Sequence, residues 1–149
     1  MLRTRLRSFL LAALVAGSAL VSLAQAAIVV VAHPGMRKLD VATVERIYTG
    51  RVVELDGQPV LPVNLPPQHA LRQRFLKEFV QRDEPGYLAY WTVRRYVGKG
   101  APPREVGNSA EVLMHVLNTP GAIGYLEESD LPPGVNVVAR GAKPPAVTP

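Results

Sequence analysis

The sequence predicts an α/β domain, and two observations lead to this prediction. Residues 28–32 read Ile-Val-Val-Val-Ala, a continuous apolar run typical of a strand buried on both faces. Segments with helical spacing of apolar residues then alternate with short strand-like segments. The pattern predicts a single compact α/β domain in which helices flank a central strand from Ile28 to Ala32.

The first 26 residues have the pattern of a secretory signal peptide. Three arginines precede an apolar run at residues 9–23, and Ala24-Gln25-Ala26 is a small-residue cleavage site. A retained membrane anchor is the alternative, but the run is short for a membrane span and is interrupted by glycine and serine. We therefore expect a cleaved leader, a periplasmic protein and no membrane insertion after cleavage.

Composition limits the classes of function. The leader holds three of the 17 basic residues and no acid, so cleavage lowers the formal net charge from +5 to +2. No nucleic-acid partner is expected, because such a partner requires a concentrated basic face. The chain has no cysteine, so neither disulfides nor a lipid anchor are expected. We place one domain at residues 27–140 and a disordered Pro-rich tail at residues 141–149.

A first helix is predicted between Asp40 and Tyr48. Asp40 fits the N-cap position, and Leu39 and Val44 are spaced as a hydrophobic staple across that cap. Gly50 fits the left-handed position that follows many helices.

A β-hairpin is predicted after this helix. Residues 52–55 and 59–64 flank Asp56-Gly57, a favoured two-residue turn. Pro59 and Pro62 place the second strand at a sheet edge or make it irregular.

Three further helices are predicted from the spacing of apolar residues. The first spans residues 68–81, the second begins near Pro85, and the third spans residues 110–118 after a cap at Asn108 or Ser109. Their predicted core residues are Leu71, Phe75, Phe79, Tyr87, Trp91, Val112, Leu113, Val116 and Leu117.

Residues 119–125, Thr-Pro-Gly-Ala-Ile-Gly-Tyr, predict a turn from helix to strand. Pro120 cannot extend the helix, and Gly121 permits the positive φ of a helix exit. Gly124 lies inside an apolar strand, which indicates the close approach of another backbone or a ligand. A last short strand is predicted at residues 135–139.

Ligands of open α/β sheets bind at the carboxyl ends of strands. This rule selects residues 33–37 and 64–72, with the ends of the last two predicted strands as a further option. Arg72, near a helix start, can pair with an anion, although a solvated arginine or a local salt bridge is the ordinary role. His33 can donate to an oxyanion, or it is simply a turn residue beside Pro34.

Four segments together resemble the small, single-domain relatives of the periplasmic phosphate-binding proteins of ABC transporters, in the type 2 periplasmic-binding-protein superfamily. They are residues 29–34, 44–51, 69–75 and 119–125, and the last is similar to the family's P-G-A-I-G-Y turn. The resemblance implies the fold of one lobe, reversible non-enzymatic binding of a small phosphate-like anion, and a membrane transporter or sensor protein as partner.

The resemblance also implies an anion site. Where phosphate-binding members have Ser-Gly-Thr-Arg, this chain has His69, Ala70, Leu71 and Arg72, so it keeps the guanidinium and lacks the hydroxyls. The predicted ligand-binding residues are His69, Ala70, Leu71, Arg72, His33 and Gly35. Because a desolvated phosphate needs many donors, the alternative is a domain without a ligand that serves as an interaction module for a periplasmic sensor or envelope complex.

Other chemistry has no support in the sequence. His33, His69 and His115 lack a short metal-ligand spacing, so no metal is expected. Ser109 and Ser129 have no neighbouring histidine and acid in a nucleophilic pattern. We expect neither a cofactor nor enzymatic activity.

Overall fold

The structure, a computed structural model, describes residues 25–143, so the predicted leader up to residue 24 and the tail from residue 144 lie outside the described residues. The strands are β1 (Ile28–Ala32), β2 (Glu54–Leu55), β3 (Gln58–Pro59), β4 (Leu61–Asn64), β5 (Arg104–Glu105), β6 (Ala122–Glu127) and β7 (Asn136–Arg140). The helices are α1 (Val41–Tyr48), α2 (Ala70–Phe75), α3 (Glu84–Tyr96) and α4 (Ser109–Asn118). A π-helical segment, Leu76–Val80, continues α2, and a 3-10 turn, Glu128–Asp130, follows β6.

A five-stranded mixed sheet forms the centre of the domain, in the order β5-β4-β6-β1-β7. β1 runs antiparallel to β6 and β7, whereas β4 runs parallel to β5 and β6. Every residue of β1 is buried. The predicted α/β class is confirmed, with Ile28–Ala32 as an inner strand.

Helices cover both faces of this sheet. Gly124 of β6 lies against Val112 of α4, and the Tyr125 ring stacks on Phe75 of α2 with ring centroids 3.8 Å apart. Consecutive strand residues point to opposite faces, so α4 and α2 lie on opposite sides. The close approach predicted at Gly124 is therefore a helix packing on the sheet, because a Cβ there would lie 2.5 Å from Val112 Cγ1.

The ends of the helices follow the predicted caps in most cases. Asp40 Oδ1 accepts from Thr43 N at 2.7 Å, and Asn108, rather than Ser109, caps α4 by accepting from Glu111 N at 3.0 Å. The second predicted helix begins two residues late, because His69 is its cap: His69 Nδ1 accepts from Leu71 N.

The predicted hairpin forms, but its second strand divides. Asp56 and Gly57 have φ values of +52° and +78°, as the two-residue turn requires. Val60 N donates to Val53 O and Leu61 N donates to Gly121 O, so the chain changes partner between these residues. β4 is therefore an inner strand of the main sheet, so the edge position predicted from Pro59 and Pro62 is wrong and the predicted irregularity is confirmed.

The predicted core residues are buried with two exceptions on α4, where Leu113 is half-buried and Leu117 is exposed. Tyr48, Phe75 and Tyr125 form an aromatic cluster at the centre of the core. The buried hydroxyls of the two tyrosines have partners: Tyr48 Oη donates to Val63 O at 2.9 Å, and Tyr125 Oη donates to Asn64 Oδ1. The cluster packs the end of α2 against α1 and β6.

Candidate functional site

The structure separates the six predicted ligand-binding residues into two groups. Ala32, at the end of β1, pairs with Ile123 near the start of β6, whereas β4 begins beside Ala122 and ends near Tyr125. The two strands thus end at opposite edges of the sheet. The sequence predicted one shared site, because the carboxyl ends of parallel strands meet at one edge of a sheet. This expectation fails, since β1 is antiparallel to β6 whereas β4 is parallel to it.

Arg72 lies at the edge where β4 ends, and its side chain is buried within an ion-pair cluster. The guanidinium donates to Glu84 through Nε at 2.9 Å and Nη2 at 2.5 Å. Nη1 donates to Glu105 Oε1 at 2.9 Å and to the Leu65 carbonyl at 2.7 Å. We call Arg72, Glu84, Glu105 and the Leu65 carbonyl the Arg72 cluster. A guanidinium has five N–H groups, so this cluster uses most of its donor capacity.

Electrostatics keep Arg72 charged in this position. Burial lowers the pKa of the guanidinium, but the hydrogen bonds that it donates to Glu84 and Glu105 outweigh burial and raise the pKa above its ordinary value. The Arg72 side chain is 6% exposed, whereas Glu84 and Glu105 are 23% and 52% exposed. The cluster is thus open to water on its carboxylate side.

Backbone and hydroxyl groups beside the cluster also have partners. His69 lies at the start of α2 with its Nδ1 accepting from Leu71 N, so this nitrogen is an acceptor. The Tyr125 hydroxyl donates to Asn64 Oδ1 and accepts from Leu65 N, and burial raises the pKa of Tyr125. Tyr125 therefore stays neutral and supports the end of β4.

His33 and Gly35 lie at the opposite edge, in a cleft of 280 Å³ that the turn at Pro120 and Gly121 also lines. Gly35 has a φ of +93° and His33 Nδ1 lies 3.1 Å from the Pro34 carbonyl. Asp56 brings a carboxylate to the same cleft. This carboxylate also pairs with Arg37, which lies outside the lining, at 3.2 Å. Among the described residues that line the cleft, Asp56 is acidic and none is a lysine or an arginine.

Sequence reasoning missed Glu84 and Glu105, the partners of Arg72. They lie 12 and 33 residues along the chain, on α3 and β5, so no local spacing pattern connects them to Arg72. Asp83 and Glu84 show in the sequence only as acids in the cap and first turn of a helix.

The described part of the chain has neither a metal-binding group of side chains nor a membrane-spanning helix. Within residues 25–143, histidine, aspartate and glutamate side chains form no group of three that could hold a metal ion. Across the same range, no helix combines the length and apolar character that crossing a bilayer needs.

Solved structures share this fold, although no protein-family model and no curated protein matches the sequence. A protein assigned as a phosphate ABC transporter substrate-binding protein from Clostridium perfringens, solved with bound phosphate, has a TM-score of 0.62 and 18% identity, over 77% of this chain and 45% of that chain. An ABC-type phosphate transport receptor from Vibrio cholerae has a TM-score of 0.58 and 15% identity, over 77% and 46%. PstS from Borrelia burgdorferi has a TM-score of 0.58 and 12% identity, over 78% and 47%.

These likenesses establish the fold. The chain has the sheet and flanking helices found in phosphate-transport binding proteins, and it spans less than half the length of each of these three.

Proposed function

We propose that this protein is an exported, non-enzymatic domain with the fold of a solute-binding protein, and that it serves as an interaction module for a periplasmic sensor or envelope complex. The observation that carries the proposal is the Arg72 cluster. The one side chain that matches an anion-binding motif already binds two carboxylates of the same chain.

A phosphate ion would have to compete with those carboxylates. Glu84 and Glu105 carry the same sign of charge as phosphate, and they hold the guanidinium through short, charge-assisted hydrogen bonds. Ala70 and Leu71 offer no side-chain donor to compensate.

Anion binding by His69, Ala70, Leu71 and Arg72 is the second candidate, and one observation favours it. Glu105 is half-exposed, so its side chain can rotate away and free one edge of the guanidinium. The neighbour from Clostridium perfringens was solved with phosphate. His33 and Gly35 would form a separate site in this case, because they lie at the other edge of the sheet.

Calorimetric titration of the purified protein with inorganic phosphate and with sulfate distinguishes the two candidates. We expect no saturable heat for the unaltered protein, because the carboxylates occupy Arg72. The double variant Glu84→Gln and Glu105→Gln frees the guanidinium from negative charge, and we expect it to gain weak phosphate binding. Thermal unfolding verifies that both proteins are folded.

Affinity capture from periplasmic extract supplies the complementary result. We expect a reproducible partner on the folded bait and none on a heat-unfolded bait. Saturable phosphate binding by the unaltered protein, together with capture of no partner, would reverse the order of the two candidates.

A further inference from the structure

Besides the cleft at His33, a second concave surface lies apart from the Arg72 cluster and is lined mostly by apolar residues. It is a groove of 570 Å³, within the range of about 300–1,000 Å³ that small-molecule sites occupy. We call it the Arg104 groove. Its lining includes Val53, Leu61, Pro62, Trp91, Arg104 and His115.

The wall of the Arg104 groove is largely apolar and open to solvent. Val53 is 68% exposed and Leu61 is 43% exposed, which is high for large apolar side chains of a small domain. The half-buried Pro62 and the largely buried Trp91 ring also line the groove. Water is in contact with this surface in the absence of a ligand, so an apolar occupant would gain free energy by displacing it.

Basic groups face this wall without an acidic partner. Arg104 lines the groove, and within residues 25–143 no ion pair joins it to a carboxylate. Glu105, the next residue of β5, belongs to the Arg72 cluster instead. None of the described residues that line the groove is acidic. His115 lines the same groove as Arg104, and burial and then the Arg104 charge lower the pKa of His115.

We infer that the Arg104 groove binds an apolar monocarboxylate, with the carboxylate at Arg104 and His115 and the hydrocarbon part against Val53 and Leu61. Charge complementarity selects the head group, because a carboxylate supplies the acceptor that Arg104 lacks. The apolar wall selects the tail. This inference goes beyond the proposed function, since the groove shares no lining residue with the Arg72 cluster.

Titration with decanoate tests the inference. Trp91 is the single tryptophan of the sequence and lines the groove, so its fluorescence reports occupancy directly. We expect a saturable change with decanoate and binding at least about tenfold weaker for decanol, which lacks the charge, and for acetate, which lacks the tail.

Variants test separately the residues that contact the carboxylate and those that contact the hydrocarbon part of the ligand. Arg104→Gln is expected to weaken decanoate binding about tenfold and to leave decanol binding unchanged, because only the charge contact is lost. Val53→Ser is expected to weaken both ligands. Arg95→Gln is the matched control: Arg95 is an exposed arginine outside the groove, and its loss should change neither affinity.

Three outcomes would overturn the inference. They are the absence of saturable decanoate binding, equal affinities for Arg104→Gln and the unaltered protein, and equal losses for Arg104→Gln and Arg95→Gln. Amide shifts of residues 115 and 119 in NMR spectra locate the ligand if the fluorescence change is small. The phosphate titration is independent, since failure at Arg72 leaves the decanoate result unaffected.

Discussion

Gly121→Ala is expected to lower the free energy of unfolding by about 3–4 kcal/mol, since it combines backbone strain with a clash. Gly121 has a φ of +79°, a conformation that alanine adopts only with strain. An added Cβ would lie 2.1 Å from the Pro59 carbonyl oxygen, a backbone atom that cannot rotate away. Because the Gly121 carbonyl also accepts from Leu61 N, the turn cannot move without disturbing the start of β4.

Gly134→Ala is the matched control. Gly134 has a φ of +82°, close to that of Gly121, but nothing lies within 4 Å of an added Cβ there. We expect this variant to lose only the strain contribution, about 1–2 kcal/mol. Urea unfolding of both variants under the same conditions gives the difference, which measures the clash alone. Equal losses for the two variants would show that Gly121 is required only for its φ.

A larger loss of stability for Gly121→Ala than for Gly134→Ala would also show that residues 119–125 have a structural role. The turn begins β6 and receives a hydrogen bond from the start of β4, so it fixes the register of two neighbouring strands. Gly124 then allows α4 to pack closely on the sheet. The motif that resembles the family's turn is thus accounted for by packing and backbone geometry.

Local features of the fold were predictable from the sequence because their causes are local. The Asp40 cap, the Asp56-Gly57 turn and the apolar run of β1 each depend on residues a few positions apart. The division of the second hairpin strand was not predictable, because Leu61 N finds its acceptor at Gly121, far along the chain.

The candidate site was only partly predictable for the same reason. The sequence identified Arg72 and placed it correctly near a helix start. Its partners come from α3 and from β5, and β5 lies beside β4 only after the sheet has formed. The direction of β1 relative to β4 is likewise a property of the whole sheet, and it separates His33 from Arg72.

Arg72→Met is expected to lower the free energy of unfolding by about 3 kcal/mol, because it removes one member of a buried ion-pair cluster and leaves the others without a partner. Methionine fills similar apolar volume but offers no donor to Glu84, Glu105 or the Leu65 carbonyl. The half-exposed Glu105 can turn to water, so the loss should fall near the lower end of the range of about 3–5 kcal/mol for broken buried pairs.

Two further variants make the measurement specific. Arg37→Met breaks a surface ion pair with Asp56, in which both side chains are more than half exposed, and should cost about 0–1 kcal/mol. Adding Glu84→Gln to Arg72→Met should restore part of the stability, because it removes a carboxylate that has lost its partner. If Arg72→Met were as mild as Arg37→Met, the carboxylates would not hold the guanidinium tightly. Arg72 would then be accessible to a small anion, and phosphate binding would become the better interpretation of this edge of the sheet.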